Sequence, residues 1–437
     1  MPALSDAADA PPASPTRRPE PPASFDEART RIRAIMAEFA EGAPERDLSG
    51  EHPDELVRAL ADAGFGRLRV PREYGGFDVD LPTLVEFLAE AGQADSNIPQ
   101  IWRGHFTTTE ILRAEVDDQV RAKWLGVIGD GAIFGNAQSE PSASVAAAPD
   151  ADSSGWGAIT TRVRAGADGR RLVSGTKFYS TGSRFADFIR AAVIDEAGHR
   201  GFVVIPARHP GVTHVDDWDG IGQRQTGSGT TLFDAVPVED LGDVGRYKES
   251  LRGLDSFVQL VHLANLAGIA RSIVAETVTV VRGRTRTSLH ALTRTASQDP
   301  EVLGVVGTLQ VRRLTADALT RHAARRLEDA HRSGAEADYT LAYQDTSAAQ
   351  VAVIEAVLDA ATTAFNAGGS SATLNSVHLD RHWRNARTLA SHNPLIYKPR
   401  IVGEYLVNGT APLPGYYRGK PSAAGPVTAP AEPGGTA

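Results

Sequence analysis

The sequence predicts an α+β fold in which a helical region, a β region and a four-helix bundle follow one another along a single chain. Three observations predict it. Apolar residues recur at helical spacing up to about residue 134, short β-prone runs punctuated by Gly, Pro and Asp follow, and long helical periodicities return beyond about residue 247. At 437 residues the chain exceeds what one hydrophobic core serves, so several domains are expected.

The opening MPALSDAADAPPASPTRRPEPPAS is rich in Pro, Ala and charge and has no apolar core. Residues 1–24 are therefore expected to form a disordered tail, neither signal peptide nor membrane anchor, on a cytoplasmic protein. FDEARTRIRAIMAEFAEGA sets Phe25, Ile32, Ile35, Met36 and Phe39 near one helical face, and HPDELVRALADAGFGRL repeats the pattern up to Gly64. VPREYGG, residues 70–76, is a loop bounded by Pro and Gly, after which LPTLVEFLAEAGQAD resumes the helix. These segments define an N-terminal helical domain over residues 25–133. RRLVSGTKFYSTGS, FADFIRAAVID, GFVVIPA and TTLFDAVPVED read as strands and place a β domain at 134–246. Helices are expected at 256–283, 301–333, 341–367 and 379–390, inside a C-terminal bundle spanning 247–408. The Pro-, Gly- and Ala-rich extension 409–437 is expected to end in disorder.

Composition excludes several kinds of chemistry. A formal net charge of -9 without a basic run argues against nucleic acid, whose phosphates need a cationic face. The chain has no cysteine, so disulfides, thiolate catalysis, iron–sulfur clusters and Cys-ligated zinc are absent, and no HExxH or similar ligand spacing suggests a metal. No GxGxxG follows a strand, so the chain carries no NAD(P)H fingerprint. GYYRGK, residues 415–420, is one residue short of a phosphate-binding P-loop.

The order of helices, β domain and bundle, together with VPREYGG, FGNAQSEPSAS, VSGTKFYSTGSRFAD, DDWDGIGQRQTGSGTTLFDAVPV and RHWRNART, resembles the acyl-CoA dehydrogenase superfamily over about residues 25–417. DDWDGIGQRQTGSGTT and YLVNGTAPLPGYY narrow the likeness to its flavin-dependent monooxygenases, typified by dibenzothiophene monooxygenase and enzymes acting on small sulfones and sulfinates. The resemblance implies an acyl-CoA dehydrogenase-like fold with flavin between the β domain and the bundle, in a homotetramer built as a dimer of dimers. It also implies a separate NAD(P)H:flavin reductase. Reduced FMN, rather than FAD, would act with O2 through a flavin C4a-(hydro)peroxide to place one oxygen on a sulfur or nitrogen of a small organosulfur or amine substrate. Three other readings stay open: an FAD-dependent acyl-CoA dehydrogenase, an amine or amino-sugar N-hydroxylase, and a catalytically silent helical scaffold.

The same resemblance assigns roles residue by residue. Where the dehydrogenases with a base on this segment carry a glutamate, the register holds Asn393, whose amide accepts no proton. His392 beside it aligns with a histidine near the flavin and would act on oxygen intermediates; a capping or solvated histidine is the plainer reading. His105, in WRGHFTTTE, matches a histidine on the substrate side, or is simply packed. Asn136 and Thr181 match positions lining the flavin, where neutral donors and acceptors suit its ring edge, although both are ordinary turn residues. Trp218 would pack on the ring, or within the core, and Tyr179 is a weaker contact of the same kind. Arg286 would hold the flavin phosphate, with Arg282 and Arg284 close enough to compete, or all three cap a solvated helix end. Two departures are Ser371, where a second phosphate-binding arginine is expected, and Leu389, where the sulfur-heterocycle enzyme has a further histidine.

Overall fold

The computed structural model describes residues 20–141, 159–167, 169–240 and 252–410. Most of the two terminal tails, and GYYRGK with them, lies outside the described residues. Six helices open the chain: α1 (Phe25–Ala40), α2 (Ala43–Ser49), α3 (Asp54–Asp62), α4 (Leu81–Ala94), α5 (Asn97–Arg113) and α6 (Asp118–Gly129). Side-chain caps set the starts of α1, α4 and α6, since each helix leaves its first amides without partners. Ser24 accepts from the Glu27 amide, Asp80 from that of Thr83, and Asp117 from those of Gln119 and Val120. VPREYGG forms the expected connection, tightened by a short 3-10 turn at Arg72–Tyr74.

The middle of the chain forms one mixed sheet of eight strands: β1 (Phe134–Ala137), β2 (Arg162–Ala165), β3 (Arg171–Lys177), β4 (Phe188–Ile194), β5 (Arg200–Pro206), β6 (Val212–His214), β7 (Thr231–Pro237) and β8 (Glu239–Asp240). Their order is β6-β7-β3-β2-β4-β5-β8, with β1 running parallel to β4. The four β-prone runs read from the sequence are β3, β4, β5 and β7, which carry most of the pairing. β1, β2, β6 and β8 have four residues or fewer, too short to show an alternation in sequence.

The bundle contains α7 (Leu254–Gly283), α8 (Pro300–Ser333), α9 (Glu336–Gly368) and α10 (Asp380–Ser391), close to the expected segments. A fifth helix, α11 (Lys398–Asn408), lies against α9 and was not expected. Its Pro399 reads as a breaker, but proline in a first turn loses only an amide that has no helical partner anyway. α7 runs through the middle of the molecule and touches α4, α5, α8, α9 and α10. It crosses α4 closely because Gly268 leaves room: a Cβ there would stand 2.4 Å from the Ala89 carbonyl oxygen. Arg271 on the same helix binds Glu86 of α4 and Asp317 of α8, joining the N-terminal helices to the bundle.

Candidate functional site

Helical region, sheet and bundle meet at a loop cluster. The turn after β3, residues 178–182, bonds to the loop before β7 through the Ser180 amide to the Gly229 carbonyl (3.3 Å) and the Gly182 amide to that of Thr226 (3.0 Å). Gly182 has φ +81° and approaches α5 so closely that a Cβ would lie 2.3 Å from the Ile101 carbonyl oxygen, so only glycine serves. Behind the turn runs a chain of hydroxyls: Thr181 to Ser228 at 2.8 Å, Ser228 to Thr226 at 2.6 Å, and Thr226 to the Gln223 carbonyl at 2.8 Å. The Gln223 amide donates to the Asn385 side chain of α10 (2.6 Å), and Asn97 of α5 donates to Gln225 (2.6 Å). This loop is thereby fixed to two helices from opposite ends of the chain.

Several buried polar atoms in this cluster have no protein partner: Ser180 Oγ, Gln223 Oε1 and Gln225 Nε2. Above them lie two aromatic rings. Tyr179, with φ +57° and 52% of its surface exposed, stands edge-on to the half-buried Trp218 with ring centroids 5.7 Å apart, and the Trp218 indole donates to the Gly222 carbonyl at 3.3 Å. Asn136 sits half-buried on β1, its carbonyl accepting from Ser183 at 3.0 Å. Thr181 and Tyr179 adjoin each other on one turn, and Trp218 joins them through the Tyr179 ring.

The end of β3 is held by a buried ion pair. Lys177 lies 2.8 Å from Glu140, whose carboxylate also accepts from the amides and hydroxyls of Thr160 and Thr161 at 2.6–2.9 Å. Burial works against the charge, but Lys177 and these donors outweigh it and hold the Glu140 carboxyl at about 2.

His392 is the residue after α10, exposed at the helix end, and its ring packs on His262 of α7 with centroids 4.3 Å apart. His262 is 4% exposed and neither of its ring nitrogens has a protein hydrogen bond. Burial pushes the His262 pKa well down, and the His392 ring and the Arg103 guanidinium of α5 lower it further. Surrounding protein and Arg103 lower His392 as well, an effect weakened by the solvent that reaches this residue. Asn393 follows, half-buried. Leu389, one turn back, is 4% exposed and packs into the core.

His105 does not join this group, which corrects the catalytic role the sequence suggested. It is fully buried, its Nδ1 accepts from the Phe134 amide (3.2 Å) and its Nε2 donates to the Gly66 carbonyl (2.9 Å), so no nitrogen is left for a substrate. Trp102 and Phe106 stand edge-on to the ring, and burial brings its pKa down to about 4. A neutral buried imidazole favours the folded state above pH 6.5, and that advantage is lost as pH falls towards 4 because only the unfolded chain takes up the proton. In urea unfolding, the stability gap between wild type and His105→Gln is therefore expected to narrow by about 2 kcal/mol from pH 7.5 to pH 5. A constant gap would mean that the imidazole takes up its proton as readily in the fold as in the unfolded chain.

Arg286 lies three residues past α7 and is exposed, as is Arg282. Arg284 between them is half-buried and donates to the Ala367 carbonyl of α9 at 2.6 Å, and is thus engaged in joining two helices. Ser371 lies in the short 3-10 turn Gly369–Thr373 that follows α9.

Sequence reading missed His262, Ser228, Gln223 and Gln225. A signal for the first existed: Ser256, Gln259, His262 and Asn265 place a polar residue at every third position of an otherwise apolar helix, and all four are buried.

The family model described as "Acyl-CoA dehydrogenase, N-terminal domain" matches residues 24–132, and that for "Acyl-CoA dehydrogenase, C-terminal domain" matches 260–395. The chain is 28% identical to dibenzothiophene monooxygenase of Rhodococcus qingshengii over 402 residues, covering 88% of this chain and 94% of the relative. It is likewise 28% identical to the probable FMNH2-dependent monooxygenase SfnC of Pseudomonas putida over 405 residues, 88% of this chain and 96% of the relative. The solved structure of methanesulfinate monooxygenase MsuC from Pseudomonas fluorescens superposes with a TM-score of 0.78 at 28% identity, covering 89% of this chain and 98% of that one. With helical domain, mixed sheet and bundle in the same order, the chain belongs to the acyl-CoA dehydrogenase-fold family.

Proposed function

We propose that this protein is a two-component monooxygenase that uses reduced FMN and O2 to add one oxygen atom to a sulfur or nitrogen centre of a small organic substrate. The observation that carries the reading is the loop cluster, where Ser180, Gln223 and Gln225 keep buried, unpaired polar atoms beside the Tyr179–Trp218 pair. That donor set suits a flavin: neutral hydrogen-bonding groups for the polar edge of its ring and aromatic surface for its flat face. Asn136, Tyr179, Thr181, Trp218 and Asn393 would hold the ring. Arg286, exposed just beyond α7, would reach the phosphate.

Reduced FMN, when bound, supplies the electrons that make O2 able to deliver an oxygen atom. The protein's residues hold and shield that chemistry. The hydroxyl chain ends at the Gln223 carbonyl, which only accepts, so Thr181 donates to Ser228, Ser228 to Thr226 and Thr226 to Gln223, leaving Thr181 to accept a hydrogen bond outward. His392, kept largely neutral by its surroundings, holds or accepts a proton at its free ring edge. Dehydrogenation of an acyl-CoA is disfavoured because its α-proton needs a base, and from Asp380 to Glu404 the chain carries no carboxylate.

A homotetramer is supported by exposed apolar surface: Leu303, Val311 and Leu314 recur along one side of α8, and Leu406 and Val407 are more than three-quarters exposed on α11. Reducing equivalents would come from a separate NAD(P)H:flavin reductase in the cytoplasm.

The test is to mix anaerobic protein and reduced FMN with oxygenated buffer and a panel of sulfides, sulfinates and amines. Oxygenated product formed in proportion to reduced FMN is the expected result. Bleaching of oxidised bound flavin by acyl-CoAs would instead return the chain to dehydrogenation. In the assembled protein Arg286→Ala is expected to weaken FMN about tenfold and riboflavin not at all. Equal losses for both ligands, measured by fluorescence titration, would assign Arg286 to packing.

A further inference from the structure

We propose that the cavity where the start of α7 meets the end of α5 and the α8–α9 corner binds a small zwitterion, an α-amino acid with a short apolar side chain. The cavity has a volume of about 240 Å³ and shares no residue with the loop cluster assigned to flavin, so the inference stands apart from the monooxygenase reading. Its floor is fixed. Arg69 donates from Nε and Nη2 to the two oxygens of Glu110, at 2.6 and 3.0 Å, and with both side chains less than a tenth exposed these two charges answer each other. The groups above them are less committed. Arg113 of α5 uses one terminal nitrogen for Asp78 and the Arg69 carbonyl, both at 2.7 Å, and its other terminal nitrogen has no partner among the described residues. Arg252, just before α7, meets Glu336 only through Nε, at 3.3 Å, which leaves both of its terminal nitrogens open. Glu328 of α8 accepts from the Leu81 amide at 2.9 Å through one oxygen, while the other has Arg332 at 3.4 Å, on a largely exposed side chain. The rings of His331 on α8 and Tyr339 on α9 stand 5.7 Å apart, and neither the imidazole nor the hydroxyl makes a hydrogen bond among the described residues.

Charge decides the class of ligand. The wall carries the guanidiniums of Arg69, Arg113 and Arg252 and the carboxylates of Glu110 and Glu328, and the ion-pair partners Asp78, Glu336 and Arg332 behind them bring the set to balance. A bare anion or a bare cation placed here would disturb that balance, and an uncharged molecule would leave the open guanidinium donors and the Glu328 acceptor unanswered. A zwitterion answers both. Its carboxylate takes paired donors from Arg113 and Arg252, and its ammonium donates to Glu328 and to the acceptors on His331 and Tyr339. His331 is suited to accept. Burial lowers its pKa, and although Glu110 and Glu328 oppose that, Arg69 and Arg113 reinforce it, so the ring is neutral at pH 7 and keeps one nitrogen free of a proton. Leu254 and Phe257 of α7, with Ala114, give the cavity an apolar side for the side chain of the amino acid.

Isothermal titration of the full-length protein with L-leucine tests the site, with isocaproate and isoamylamine as its anionic and cationic halves. L-leucine is expected to bind at least about tenfold more tightly than either half. Arg252→Gln, at a side chain that is 41% exposed, is expected to weaken L-leucine about tenfold while FMN affinity stays unchanged. Glu328→Gln, which keeps an acceptor for the Leu81 amide, should do the same, and Arg252→Gln carries the test alone if that variant unfolds. An absence of L-leucine binding at millimolar concentration, either half binding as tightly as L-leucine, or an Arg252→Gln affinity that is undiminished or falls equally for FMN would each overturn the proposal. Because the assay uses neither O2 nor reduced flavin, its failure is separate from a failure to oxygenate.

Discussion

Lys177→Met is expected to lower folding stability by about 3 to 5 kcal/mol, because it removes the cation from a pair whose side chains are both essentially inaccessible. Glu140 would remain buried against four neutral donors from Thr160 and Thr161, which compensate only part of a full charge. The damage should not stay local. Lys177 ends β3 and is directly followed by the turn holding Tyr179, Ser180 and Thr181, so flavin affinity should fall together with stability. Urea unfolding at pH 7 is the measurement, and a loss below 1 kcal/mol would mean that water replaces the ammonium at no great cost. The pH dependence has a definite sign. The Glu140 carboxyl is held at about 2 in the fold, so its contribution is fully present above pH 4.5 and is lost as pH falls towards 2. Lys177→Met should therefore resemble wild type more closely in acid than at neutrality.

The second large effect is on coupling. His392→Ala is expected to keep the fold and most FMN affinity, since the residue is exposed at a helix end, while product formed per reduced FMN consumed falls about 100-fold. Hydrogen peroxide should make up the difference, because in the proposed mechanism flavin oxidation continues without the imidazole that would manage the proton. Parallel assays of product and peroxide decide the matter. An unchanged ratio would remove His392 from the mechanism.

What the sequence revealed follows from the range over which each signal acts. The long helices and the four principal strands are local patterns, and they were legible to within a few residues. The dipeptide Lys398–Pro399 hid α11 because proline at a helix start and proline at a break look alike in sequence. The sequence pointed to His105 and drew no attention to His262. His105 stands in a motif shared with flavoenzymes, yet the Gly66 carbonyl and Phe134 amide, 39 and 29 residues away, consume both its nitrogens. His262 looked like part of an apolar helix, and only the packing of α10 shows that His392 comes to rest on it. Tertiary partners of this kind leave no periodic trace. The polar residue at every third position of α7 is the nearest thing to one.

The loop from Trp218 to Thr230 is held by partners 128 residues before it, at Asn97, and 162 residues after it, at Asn385. Contacts of that separation close only after the intervening chain has lost most of its freedom, so they form late in folding and slow it. Each helix and hairpin nearby draws on neighbours in sequence and is free to form earlier. The site is consequently a product of complete assembly: an intermediate with native helices and strands but undocked domains lacks the organised loop cluster proposed to hold flavin. With the oxygen chemistry proposed above, a chain gains from this order of events, because nothing half-folded is equipped to begin chemistry that it could not contain.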